Sequence, residues 1–325
     1  MKKNILITLL LFLFFISATN GYARETKLNY RLKWLFNASV AGDIYADEKG
    51  YFKANGLDVT VKEGGPGINP ISELELGRSQ FGVASADQVI RALEKGAKIK
   101  VLAQLFQINP MQWIYRADQP EIKTLQDLKG RKIGITYGGN DETIMNTLLA
   151  KAGLTKDDVF LTSVRFDATP FFKRKVDVWP TYRNSQGVKY KDDLSKAGED
   201  VLFFNPLDFG INFVANSVIT TEAMVKQHPD VVNKFLTALL KGWEDSMELK
   251  NEPDALQTIK KRDKEKNDDI RRKQMTATRD LVKPSRSIKI GYIDIKAWKQ
   301  TEAIMLKENQ IKKKVNVEHR LIQVN

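Results

Sequence analysis

Short runs rich in apolar and β-branched residues alternate along this chain with stretches whose apolar positions recur at helical spacing, and glycines punctuate the ends of those stretches. Residues 27–34 read as a first strand, followed by a loop over 36–42 and a helix stopped by Gly56. A second strand is expected at 57–62, and then a glycine-rich loop at 64–67. Asn69 and Pro70 occupy the favoured cap and first-turn places of another helix, which ends at Gly77. Strand 81–84, helix 87–95 and strand 99–106 complete this first pass. The order then returns: strand 132–137, loop Gly138-Gly139-Asn140, helix 141–151 with Gly153 as its stop, and strand 159–166. Beyond a strand at 213–219 the pattern turns helical, over 229–250, 255–266, 270–282 and 294–308. Strands alternating with helices in this way predict an α/β protein with mostly parallel sheets flanked by helices, arranged as two lobes on one plan. Ligands of such sheets bind beyond the carboxyl ends of the strands. Two facing lobes would bring both sets of loops to one cleft.

Outside this pattern, residues 1–23 have a basic head (Lys2, Lys3), an apolar run too short to span a bilayer, and small residues at Gly21 and Ala23. They predict a cleavable secretory signal with the mature chain starting near Arg24, in a periplasm. The chain has no cysteine, which rules out a lipid-anchored export form, disulfides and thiolate metal sites. Two distant histidines, His228 and His319, offer no metal cluster, so neither metal nor cofactor is expected. The formal net charge of +12 would ordinarily raise nucleic acid as a partner. Most of it lies beyond Lys250, in runs such as Lys260-Lys261-Arg262 and Arg271-Arg272-Lys273 that alternate with acids and carry few aromatics. Such runs read as solvated helix faces, and no nucleic-acid partner is expected.

The run Ala41-Gly42-Asp43-Ile44-Tyr45-Ala46-Asp47-Glu48-Lys49-Gly50-Tyr51-Phe52, then Gly56-Leu57-Asp58-Val59 and Phe81-Gly82-Val83-Ala84-Ser85-Ala86-Asp87-Gln88, resembles the substrate-binding proteins of ABC transporters in the NMT1/THI5-like group. Further matches are Tyr137-Gly138-Gly139-Asn140-Asp141-Glu142, Val176-Asp177-Val178-Trp179-Pro180 and Asp208-Phe209-Gly210-Ile211-Asn212-Phe213. That group takes in binders of thiamine pyrimidine precursors and is related to sulfonate, taurine and nitrate binders. The resemblance implies a two-lobed periplasmic binding protein, type II-like, whose lobes close about two hinge crossings. It divides the chain into lobe 1 (24–115 plus 211–325) and lobe 2 (116–210), with crossings at 113–117 and 203–210. It further implies a monomer that binds a small-molecule ligand and delivers it to a membrane ABC permease and its ATPase. The eukaryotic branch of the group is a pyrimidine synthase that uses a histidine and a cysteine-rich motif. Without a cysteine, this chain lacks that chemistry, and no enzyme activity is expected.

Candidate ligand-binding residues follow from the loops. Trp34, at the end of the first strand, could stack on a planar heterocycle or fill a core. Asn37 offers an amide to a ring nitrogen or serves a turn. The loop with Pro66 and Asn69 presents N–H groups at a helix start. Ser85 either faces ligand or caps a helix. In the second lobe, Tyr137, Gly139, Asn140, Asp141 and Glu142 surround a close-approach turn, with Trp179 and Tyr182 as aromatic walls. Two adjacent acids suit a ligand with amino donors and repel a sulfonate, nitrate or phosphate, although acids at a helix start also answer to the helix dipole. A planar heterocycle is the expected ligand, and an oxyanion is the alternative.

Overall fold

The computed structural model describes residues 26–322; the expected signal segment 1–23 and the start at Arg24 lie outside them. The chain opens with β1 (Thr26–Arg31), α1 (Ala41–Glu48), α2 (Tyr51–Ala54), β2 (Leu57–Lys62), α3 (Pro70–Glu75), β3 (Phe81–Ala84), α4 (Ala86–Glu94) and β4 (Ile99–Gln104). It continues through β5 (Met111–Arg116), β6 (Lys132–Ile135), α5 (Asn140–Ala152), β7 (Phe160–Ser163), α6 (Thr169–Phe172), β8 (Val178–Tyr182), α7 (Gln186–Lys196) and β9 (Val201–Phe204). The last part holds β10 (Ser217–Thr221) and then α8 (Glu222–Gln227), α9 (Pro229–Met247), α10 (Glu252–Lys260), α11 (Asp268–Val282) and α12 (Ile295–Lys307).

The strands form two five-stranded sheets, ordered β2-β1-β3-β10-β4 and β7-β6-β8-β5-β9. These are one arrangement used twice. In each, four strands run one way and the fourth in spatial order is reversed: β10 is antiparallel to β3 and β4, and β5 to β8 and β9. The two reversed strands begin where the chain enters a sheet from the other lobe. β1 and β2 pair in parallel register from Thr26 opposite Leu57 to Arg31 opposite Lys62, so their side chains alternate in step. Among the described residues, no helix is long and apolar enough to cross a membrane.

The structure moves the lobe boundaries. Met111–Arg116 is a full strand of the second sheet, so the first crossing lies between Gln104 and Met111 and not at 113–117. The chain leaves that sheet at Phe204 and re-enters the first at Ser217, which sets the second crossing over 205–216 in place of 203–210. β1 also ends at Arg31, short of Trp34, because the chain bends there against Gly64: a Cβ on Gly64 would lie 2.6 Å from the Lys33 carbonyl oxygen. That glycine permits Leu32 N to donate to the Lys62 oxygen at 2.9 Å and Gly64 N to the Trp34 oxygen at 2.8 Å.

α9 is the spine of lobe 1. It packs along α1 with Gly42 facing Gly242, so closely that a Cβ on Gly242 would lie 2.5 Å from the Ala46 Cβ. The basic C-terminal segment is more than a solvated face. Arg271 is buried and pairs with Asp263 at 3.0 Å. α11 also reaches lobe 2, where Gln274 Nε2 donates to the Ser185 oxygen and Asn184 Nδ2 to Thr278 Oγ1, both at 3.1 Å. After α12, Gln310 Nε2 donates to the Thr143 oxygen and to Thr147 Oγ1 on α5 at 3.1 Å.

Candidate functional site

The carboxyl ends of β1, β3, β6 and β8 converge on a cavity of about 300 Å³ between the lobes. Its lobe 1 wall comes from the bend after β1 (Lys33, Trp34), the glycine-rich loop up to Pro70, Gln88 of α4 and Asn216. Its lobe 2 wall comes from the turn 136–141, from Phe166 and from β8.

The turn after β6 is shaped by its glycines. Gly138 has φ +80°, the left-handed region that glycine enters without penalty. A Cβ on Gly139 would lie 2.8 Å from the Thr136 oxygen and would overlap the Asp141 carboxylate. The turn therefore folds Asp141 back upon itself: Oδ2 accepts from Thr136 N at 2.6 Å, while Oδ1 is buried without a partner. Desolvation pushes the Asp141 carboxyl up to about 7; backbone N–H groups pull it down, and the charges of Asp87 and Glu142 push it up. Three other residues of the wall, Thr136, Thr181 and Asn216, also have a buried side-chain oxygen without a hydrogen-bond partner among the described residues. Buried polar atoms are nearly always satisfied, and these four lie where water or a ligand in the cavity can reach them.

The aromatic walls come from both lobes. Trp179 is buried in β8, and Tyr182 closes the same strand; both sit inside the strand rather than after it. Trp34 meets Phe166 edge-on across the cleft, with centroids 5.2 Å apart. Phe166 holds φ 65°, a conformation rare for a bulky residue and common where a site stores strain. The Tyr182 hydroxyl accepts from Lys33 Nζ at 2.8 Å and from Asn140 Nδ2 at 3.0 Å, tying the lobes together across the cavity.

Of the residues expected from sequence, Trp34, Asn69, Tyr137, Gly139, Asn140, Asp141, Trp179 and Tyr182 line this cavity; Asn37, Pro66, Ser85 and Glu142 do not. Asn37 caps the turn Ala38–Val40 and donates to Ser185 Oγ at 2.9 Å, a bond between lobes. Pro66 is exposed on its loop. Ser85 is the buried cap of α4, and its Oγ accepts from Lys33 Nζ at 2.5 Å. Glu142 accepts from Gly138 N at 2.8 Å and borders a different cavity of about 350 Å³ with Arg91 and Gln310. Asn69, though on the wall, uses its Oδ1 to accept from Ile71 N at 3.0 Å as the cap of α3. Sequence reasoning missed Lys33, Gln88, Thr136, Phe166, Thr181 and Asn216. For Lys33, Thr136 and Thr181 a signal existed, since each immediately precedes a residue that was singled out.

Comparison with known proteins places this geometry. The formylaminopyrimidine-binding protein of Halalkalibacterium halodurans is 28% identical over 261 residues, covering 78% of this chain and 77% of that protein. The riboflavin-binding protein RibY of Chloroflexus aurantiacus is 25% identical over 235 residues, covering 71% of this chain and 65% of that protein. Among solved structures, the alkanesulfonate-binding protein SsuA of Xanthomonas axonopodis pv. citri, bound to MOPS, superposes with a TM-score of 0.72. At 15% identity, covering 93% of this chain and all of that one, it shows that the fold is that of a two-lobed periplasmic binding protein. The family model described as NMT1/THI5 like matches residues 37–254, more than half of the chain, and the chain belongs to that family.

Proposed function

We propose that this protein is a periplasmic substrate-binding subunit of an ABC importer, acting as a monomer that closes its lobes on a small planar heterocycle with amino donors and passes it to a membrane permease and its ATPase. The observation that carries this reading is the unpartnered, buried Oδ1 of Asp141 in a cavity walled by Trp34, Trp179 and Tyr182. A carboxylate binds amino donors through charge-assisted hydrogen bonds, and indole and phenol faces suit a flat ring. The cavity is at the small end of ligand pockets, a size that fits a single-ring heterocycle. The names of the two relatives, one for a pyrimidine and one for a flavin, support the same ligand class. Binding and release require no bond chemistry, and none is proposed.

The test is titration of the mature protein with 4-amino-2-methylpyrimidine and with a short alkylsulfonate, followed by tryptophan fluorescence, in wild type and Asp141→Asn. In the variant the amide must keep its oxygen towards Thr136 N, which turns an NH2 donor towards the ligand's own donors. Pyrimidine binding is expected to weaken by roughly 10- to 150-fold, the equivalent of about 1.5–3 kcal/mol for a hydrogen bond to a charged group. Tight sulfonate binding that Asp141→Asn leaves unchanged would overturn the heterocycle reading in favour of an oxyanion.

Closure carries its own expectation. Lys33–Tyr182, Asn37–Ser185 and the Trp34–Phe166 contact all span the lobes, so ligand that bridges the walls should shift the population towards the closed form. Small-angle scattering should show a smaller radius of gyration at saturation than in the free protein; superimposable curves would refute a hinge motion.

A further inference from the structure

The cavity wall contains a cation that an amino-bearing ring alone does not use. Lys33 Nζ donates to Ser85 Oγ at 2.5 Å in lobe 1 and to Tyr182 OH at 2.8 Å in lobe 2. An ammonium has three donors and no acceptor, so one N–H of Lys33 is uncommitted. The Tyr182 hydroxyl is in a matching state. Its oxygen accepts from Lys33 and from Asn140, which fills both acceptor positions and leaves its own O–H as a donor. Two donors of adjoining groups are thus left at one place on the wall.

Some partly buried cations have carboxylates, as Arg31 has Glu73 at 2.9 Å, Arg262 has Asp47 at 2.6 Å and Arg279 has Glu252 at 2.7 Å, whereas Arg91 and Arg131 are held by neutral oxygens. Among the described residues Lys33 forms no ion pair, and its recorded partners are two hydroxyls. Removing an ammonium from water in exchange for neutral partners costs desolvation free energy with little Coulombic return. An acceptor brought in by the ligand would supply that return.

We propose that Lys33, with the Tyr182 hydroxyl, is a specificity determinant for a second group on the ligand: a carboxylate or carbonyl oxygen carried by the same planar amino-heterocycle whose amino edge meets Asp141. This deepens the heterocycle reading and rests on it. The cavity then reads both ends of one flat molecule, a donor edge at Asp141 and an acceptor group at Lys33. Because Lys33 and Tyr182 come from different lobes, the acceptor group also joins the walls that must close.

The experiment is isothermal titration with a matched pair, 4-amino-2-methylpyrimidine and 4-amino-2-methylpyrimidine-5-carboxylate, in wild type, Lys33→Met and Tyr182→Phe. Wild type is expected to prefer the carboxylate by about tenfold or more, the scale of one charge-assisted hydrogen bond. In Lys33→Met that preference should fall to within about threefold of unity, and in Tyr182→Phe to an intermediate value. A preference retained in Lys33→Met, or a wild type that prefers the parent ring, overturns this inference and leaves the heterocycle reading standing. If neither compound binds wild type, the heterocycle reading falls and the inference with it. Should Lys33→Met bind neither, Tyr182→Phe decides: a reduced preference supports the inference, and an unchanged one overturns it.

Discussion

Gly42→Ala is expected to destabilise the protein by about 3 kcal/mol or more, the upper range for forcing a methyl group into a packed interior. The added Cβ would lie 2.6 Å from the Trp243 Cα and would overlap the indole itself. Backbone and a fully buried ring are the parts of a neighbour least able to yield. α1 and α9 approach this closely because the contact is glycine on glycine: a Cβ on Gly242 would lie 2.7 Å from the Gly42 oxygen. Any added atom must push the two helices apart along the length of their interface. At about 2–4 °C of melting temperature per kcal/mol for a lobe of this size, a drop of roughly 6–12 °C should follow. Gly242→Ala should behave alike. A change of less than about 1 kcal/mol in either variant would show that α9 can slide without loss.

The second large effect concerns Asp43, one residue on. Its Oδ1 accepts from Tyr30 OH at 2.7 Å and from Trp243 Nε1 at 3.3 Å, all within the core. Burial pushes its carboxyl up to about 7, against the downward pull of these two hydrogen bonds. The folded state therefore holds the proton more tightly than the unfolded chain does. Stability from this group is fully present below about pH 4 and is lost as pH rises towards 7, by about 4 kcal/mol at most. Asp43→Asn retains an Oδ1 acceptor and cannot ionise. It should come within about 1 kcal/mol of wild type in denaturant unfolding near pH 4.5 and exceed it at pH 8, by about 2–4 kcal/mol. Asp141 adds a slope of the same sign in both proteins, so the difference between them isolates Asp43. Equal pH slopes would mean that Asp43 is ionised in the core.

Gly42 and Asp43 belong to the first of the runs whose order and spacing together suggested the family, and the structure shows that both sit where α1 packs on α9. Their role in this chain is packing: neither Gly42 nor Asp43 lines the cavity. β2 and β3 were legible to the residue, since turn glycines and caps bound their short apolar runs. β5 was not. All six of its residues are buried, including Gln112 and Arg116, so it lacks the alternation that identifies a half-exposed strand. Arg116 is accommodated inside by Glu199 and by the Phe171 oxygen, partners far away in sequence. Asp141 and Glu142 could not both face the cleft, because successive residues on a helix point about 100° apart. Lys33 stands next to Trp34 in sequence, yet no local pattern reveals that this strand exit lies opposite a tyrosine in the other lobe.

The second sheet has one further consequence. All five of its strands, β5 to β9, come from the unbroken stretch between Met111 and Phe204, whereas the first sheet needs β10 from beyond it. One wall of the cavity is therefore carried by a single continuous stretch of chain set within the chain that builds the other. The wall that carries Asp141 could be exchanged as one continuous piece, provided the incoming piece still offers the Ser185 carbonyl to Gln274 of α11 and the Thr143 and Thr147 oxygens to Gln310 after α12. New ligand preferences can arise in such a chain by swapping half of a pocket while the other half, and the fold that carries it, is left untouched.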